Sequence, residues 1–162
     1  MSVAFTREES AETAAEVTLP DRPISQYPNL VTASGLRTLE DALVAARSAY
    51  EAAQKIEDAN ERRRAVAPAA RDIRYFSKRL RTAQLIGQAV AADVVAFGTR
   101  VSFRRDDGRL QKFRIVGEDE ADPRSGSISY VSPVARALSG KAVGDSIPFG
   151  EHEIEIVAIS TD

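Results

Sequence analysis

Residues 36–83 read LRTLEDALVAARSAYEAAQKIEDANERRRAVAPAARDIRYFSKRLRTA, and the spacing of their apolar residues decides the fold of the first half of the chain. Leu36, Leu39, Leu43, Ala46, Tyr50 and Ala53 follow one another at intervals of 3, 4, 3, 4 and 3. This is the a/d seam of a coiled coil, which gathers the apolar side chains into one stripe of a helix. Val66, Ala69, Ile73, Phe76, Leu80 and Ala83 repeat the same intervals. Two seams of equal length, joined by the polar stretch KIEDANE, predict an antiparallel helical hairpin over residues 32–87 with its turn near Asp58–Glu61. Thr32 or Ser34 is placed to cap the first helix. Pro68 either bends the second helix by removing a backbone hydrogen bond or marks its first turn.

Working outward toward the start, residues 1–31 hold three prolines (Pro20, Pro23, Pro28), five acids, two bases and few large apolar groups. Little burial is available there to offset the entropy of ordering, so the stretch reads as a flexible tail. Its PDRPISQYPNL segment suits an extended path against a neighbour, because each proline disfavours helix at the residue before it. Working outward toward the end, the period changes to 2 over residues 93–162. Val101 and Phe103 alternate with polar residues, Asp106-Asp107-Gly108 is an Asp-Gly turn signal, and Leu110–Val116 runs extended with Phe113 and Ile115 on one face. Ile128 and Tyr130 alternate in SISYVS, VARALSG predicts a short helix stopped by Gly140, and Ile154, Ile156 and Ala158 alternate in a closing strand. The expected class is α+β: a helical hairpin, a break near Gly87–Ala92, and a mostly antiparallel β-rich domain.

Composition excludes several kinds of function. The chain has no cysteine and one histidine, so thiol chemistry, zinc sites and catalytic triads have no material; His152 reads as an exposed strand-end residue. No phosphate-binding glycine motif is present, no apolar run approaches the length of a membrane span, and the start lacks the blocks of a signal peptide. A soluble cytoplasmic protein without membrane contact is expected. With 22 Lys+Arg against 24 Asp+Glu, the whole chain has no net attraction for nucleic acid. Charge is nevertheless uneven: residues 61–81 carry eight bases, Arg62, Arg63 and Arg64 among them, against Glu61 and Asp72.

The run FRIVGEDEADPRSGSISYVSPVARALSGKAVGD, Phe113 to Asp145, closely resembles the C-terminal signature of the GreA/GreB transcription elongation factors. The resemblance extends back through FGTRVSFRRDDGRLQKF and FSKRLRTAQLI, and covers roughly residues 76–147. It implies an antiparallel coiled coil followed by an FKBP-like β-rich domain. It further implies a protein that is not itself an enzyme, has no cofactor or metal of its own, acts as a monomer and partners bacterial RNA polymerase. The β-rich domain would rest on the rim of the polymerase secondary channel through Glu118, Asp119, Glu120, Asp122, Ser132, Pro133 and Arg136, and the coiled coil would enter the channel. Nucleic acid would be met only through the polymerase complex.

In the family the finger tip carries G-D-x-x-E-N-A-E-Y, whose acids help hold a polymerase magnesium and a water for RNA cleavage. Here Lys55 to Arg64 reads KIEDANERRR: Glu57, Asp58 and Glu61 are present without that order, and each helix is about one heptad short of the family pattern, roughly 10 Å at 1.5 Å per residue. The leading expectation is therefore regulation of elongation or initiation by occupying the channel, with Arg62, Arg63 and Arg64 facing its acidic or phosphate groups. The alternatives are a cleavage-stimulating factor using Glu57, Asp58 or Glu61, and a regulator of nucleoside diphosphate kinase, which shares the C-terminal pattern. Peptidyl-prolyl isomerisation follows from the FKBP-like fold alone, a weak warrant in a domain with no Trp and a single Tyr. Ser132 before Pro133 also reads as a helix N-cap followed by a first-turn proline, and Asp122-Pro123 as the start of a turn.

Overall fold

The computed structural model of the chain describes residues 19–161. Most of the expected tail, residues 1–18, lies outside the described residues. The chain divides into two compact units: Leu39–Arg81 with the described residues up to Ile24, and Ser25–Thr38 with the chain from Thr82 onward.

Two helices joined by residues 55–58, α1 (Ala33–Gln54) and α2 (Ala59–Thr82), supply the first unit with their residues Leu39–Gln54 and Ala59–Arg81. So short a connection between long helices makes an αα-hairpin. Within this unit the α1 seam is the buried side: Leu39, Leu43, Ala46 and Ala53 are buried and Tyr50 half-buried. On α2 the corresponding residues are Ala69, buried, and Val66, Ile73, Phe76 and Leu80, half-buried. The turn comes a few residues earlier than Asp58–Glu61, because Asp58 serves as cap: its Oδ1 accepts from the Glu61 amide at 2.8 Å and its carbonyl from the Arg62 amide at 2.9 Å. Pro68 lies in the interior of α2 rather than in its first turn. The basic face is not uniformly solvated either, for Arg79 is 2% exposed and partnered.

Described residues of the expected tail are held on α2. Arg22 stacks its guanidinium 3.8 Å above the Tyr75 ring and reaches Asp72 at 3.4 Å, while Asp21 pairs with Arg74. A cation over an aromatic face with a carboxylate at its edge anchors Arg22 at both ends.

The second unit is built on a five-stranded sheet of β3 (Arg100–Arg105), β4 (Leu110–Val116), β5 (Ser127–Ser129), β6 (Ser146–Phe149) and β7 (His152–Ser160), in the order β5-β4-β3-β7-β6. The pairings are antiparallel except β4 with β5, which is parallel and reached through a 3-10 turn at Pro123–Ser125. Val101, Phe103, Ile115, Ile154 and Ile156 pack with Ala135 and Leu138 of α3 (Pro133–Leu138) to form its core. In β7 the alternation expected through Ala158 fails: Ile154 and Ile156 are buried, Ala158 is exposed and Ile159 half-buried. The register explains this, since Phe103 pairs with Ile156 and Ser102 with Ala158, leaving Val157 as the extra residue of a β-bulge.

A small parallel pair also belongs to this unit: β1 (Leu30–Val31), placed in the tail by the sequence, with β2 (Gln84–Leu85), ahead of the expected break. The Gln84 amide donates to Asn29 O at 2.8 Å and the Ile86 amide to Val31 O at 2.9 Å. These ladder bonds order residues that have little apolar surface to bury.

Candidate functional site

The acidic turn after β4 is positioned by a close backbone approach. Gly117 lies against β1 so tightly that a Cβ there would come 2.2 Å from Leu30 O. This carries Glu118–Asp122 alongside the first turn of α1. Thr32 caps that turn, accepting from the Gly35 amide at 3.0 Å, and its hydroxyl donates onward to Glu120 Oε2 at 2.6 Å; Ser34 Oγ donates to Oε1. An acid there also meets the positive end of the helix dipole. Gly35 leaves the room, since a Cβ would stand 2.6 Å from Glu120 Oε2.

Asp122 accepts from the Arg124 amide at 3.1 Å and from Ser125 Oγ at 2.6 Å, which closes the 3-10 turn. Glu118 and Asp119 are half-buried and partnered. Ser132 caps α3, accepting from the Ala135 amide at 3.3 Å, and Pro133 occupies the first turn. Of the seven residues assigned to docking by resemblance, Asp122, Pro133 and Arg136 are exposed, whereas Glu120 and Ser132 are half-buried and hold the domain's own elements in place.

Sequence reasoning placed Tyr27 and Pro28 in a segment suited to lie extended against a neighbour, without naming what they meet. Arg136 Nη1 approaches Tyr27 Oη at 3.5 Å, and Tyr130 Oη donates to the Pro28 carbonyl. Tyr27 and Arg136 thus share one exposed patch, bringing residues 109 positions apart together. Two prolines flanking an aromatic residue in a polar stretch were the available signal. Phe97 meets the Tyr130 ring edge-on at 5.7 Å and stiffens that side.

At the tip of the first unit the three arginines have different roles. Arg62 Nη1 donates to Ile56 O at 2.8 Å and to Glu57 O at 3.3 Å, closing the connection it follows. Arg63 and Arg64 are exposed. Glu57 and Glu61 are exposed, and the Asp58 carboxylate is engaged as a cap. Among the described residues no group of three His, Cys, Asp or Glu side chains is arranged to hold a metal ion. His152 begins β7 and its Nδ1 lies 2.8 Å from Asp106 Oδ2; that hydrogen bond holds the Asp106 carboxyl below its ordinary value of 3.8. No helix among the described residues is long and apolar enough to cross a membrane.

The family model for the GreA/GreB transcription elongation factor C-terminal region matches residues 90–161. Transcription elongation factor GreA of Desulfovibrio desulfuricans is 35% identical over 149 residues, covering 80% of this chain and 92% of that protein. Transcription elongation factor GreB of Neisseria meningitidis serogroup B is 42% identical over 95 residues, 55% of this chain, and the match spans only 58% of that relative's length. Among solved structures, the GreA factor homolog 1 protein of Thermus thermophilus is 23% identical, with 83% of this chain and 99% of that chain covered at a TM-score of 0.38. The matched C-terminal region and the near full-length likeness to a GreA factor show that this chain belongs to the GreA/GreB family.

Proposed function

We propose that this protein binds RNA polymerase at its secondary channel and regulates transcription elongation by occupying the channel, without supplying carboxylates to RNA cleavage. Family membership supports the partner. The state of the tip supports the mode of action: Asp58 is committed to capping α2, Arg62 is folded back on the connection, and the free charge projecting beside them includes Arg63 and Arg64. A carboxylate that already accepts a helix amide has less capacity left for a hard cation, and neighbouring guanidinium groups oppose one electrostatically. They suit acidic or phosphate groups of a channel wall instead.

The docking face we assign to the exposed patch of Tyr27, Pro133 and Arg136, with Asp122 on the neighbouring turn. This revises the list implied by resemblance, because Glu120 and Ser132 have positioning roles inside the domain. Recognition through an aromatic residue and an arginine is typical of energetically dominant interface contacts.

The decisive experiment is RNA cleavage in a stalled, backtracked polymerase complex. No stimulation by the full chain is expected. Robust 3′ cleavage that disappears in Glu57→Gln/Asp58→Asn would overturn the proposal. Asn is chosen at 58 because it keeps the capping acceptor while removing the charge.

A further inference from the structure

The second unit holds a cleft whose chemistry the docking face does not use. It has a volume of about 340 Å³ and opens between the first turn of α1, the residues following β2, and Phe97–Gly98. Two guanidinium groups line it, Arg37 from α1 and Arg114 from β4, and no acidic residue does. Neither arginine has an ion-pair partner among the described residues. The Nε of Arg114 is enclosed and has no acceptor. A buried donor left without an acceptor is costly, more so on a charged group, and the described residues leave the Arg114 guanidinium without a compensating carboxylate.

The rest of the lining sets the apolar Leu85, Ile86 and Phe97 beside the polar Thr32, Ser34 and Gln88. Leu85 and Ile86 are exposed to the cleft region, and Phe97 is half-buried. The amides of Gln84 and Ile86 are tied to Asn29 and Val31, so this wall is held by the backbone rather than by mobile side chains. Glu120, beside the first turn of α1, is turned onto the Thr32 and Ser34 hydroxyls and forms no ion pair with either arginine. A concave site lined by cations and apolar side chains together is a common form of small-ligand pocket.

We propose that this cleft binds an oxyanion, a phosphate or a carboxylate, carried on a small apolar or aromatic body. The guanidinium groups of Arg37 and Arg114 take the anion, for which their forked donors are shaped, and Leu85, Ile86 and Phe97 take the body. The site is independent of polymerase binding, so it stands or falls separately from the proposed function.

The test is titration of the isotope-labelled full chain with phenyl phosphate and, separately, with benzoate, following the Arg114 Nε–H signal and the Phe97 and Gly98 amides by NMR. A saturable shift of these signals is expected, and the tighter of the two probes identifies phosphate or carboxylate as the source. Arg114→Gln should weaken binding about tenfold or more, as expected for loss of a charge-assisted hydrogen bond. Arg37→Gln, on an exposed helix position, should weaken it without disturbing β4 and carries the test alone if Arg114→Gln does not fold. No saturable shift with either probe, or shifts that Arg37→Gln leaves unchanged, would overturn the assignment.

Discussion

A Cβ on Gly117 would stand 2.2 Å from the carbonyl oxygen of Leu30, a backbone atom in a paired strand. Gly117→Ala must therefore displace β1 or the end of β4. The expected loss is about 2–4 kcal/mol in urea denaturation, the range of substitutions that force backbone apart. Gly35 meets a softer neighbour, the end of the Glu120 side chain at 2.6 Å. Alanine there contributes about 1 kcal/mol of helix propensity, set against roughly 1–3 kcal/mol for displacing a carboxylate from two hydroxyl donors. Gly35→Ala should thus cost less than Gly117→Ala, and a larger loss at 35 would mean that the Glu120 contact cannot yield. Asp106 provides a pH-dependent example. Its pKa is lowered by the His152 hydrogen bond, so its contribution is present at neutral pH and lost as pH falls through the lowered folded value. Carboxyl NMR should find the Asp106 midpoint below 3.8, and His152→Ala should raise it toward that value.

The β-bulge sets the face that each residue of β7 presents. Removing Val157 would leave Phe103 against Ile156 and Ser102 against Ala158 in an unbroken ladder, so the deletion should fold with the same core. Removing Glu155 instead makes Ile154 and Ile156 adjacent, and only one can then point inward. That loss is about 1.5–3 kcal/mol for the ejected isoleucine alone, and thermal denaturation of the two deletions distinguishes them. The same element shows what was legible in sequence. Ile154 and Ile156 were correctly read as inward because alternation is local, but a bulge depends on the partner strand and leaves no mark of its own in HEIEIVAIS. The Leu36–Ala53 seam and the Asp-Gly turn were legible for the same local reason. By contrast, β1 and β2 are two residues each and pair across more than fifty positions, too short for any periodicity. At the candidate site, Ser132 could be read as a cap from its neighbour Pro133, whereas the inward turn of Glu120 and the Tyr27–Arg136 contact depend on long-range packing. In α2, Pro68→Ala should stabilise the hairpin by about 1–3 kcal/mol, because an interior proline removes a backbone bond and crowds the preceding turn.

At the scale of the whole molecule, attachment and effect are assigned to different units, and charge substitutions can separate them. Arg136 is exposed in the sheet-bearing unit, while Arg63 and Arg64 are exposed at the tip of the hairpin. Arg62 is unsuitable as a probe because its side chain closes the connection through the Ile56 carbonyl, and its loss would alter the turn itself. Arg136→Glu reverses a charge at the proposed docking face and should weaken polymerase binding by about tenfold or more, as charge reversal at an interface does. Arg63→Glu/Arg64→Glu should leave affinity within about threefold, since peripheral charges mainly alter encounter rates, yet should change the effect on elongation at saturating protein. The two readouts are affinity for core polymerase and elongation rate on a fixed template. A tip variant that keeps both its affinity and its effect would mean that the arginines are only a solvated face, and that steric filling of the channel by the hairpin is sufficient. A tip variant that loses affinity as severely as Arg136→Glu would place the main binding energy in the hairpin and remove the division of labour between the units.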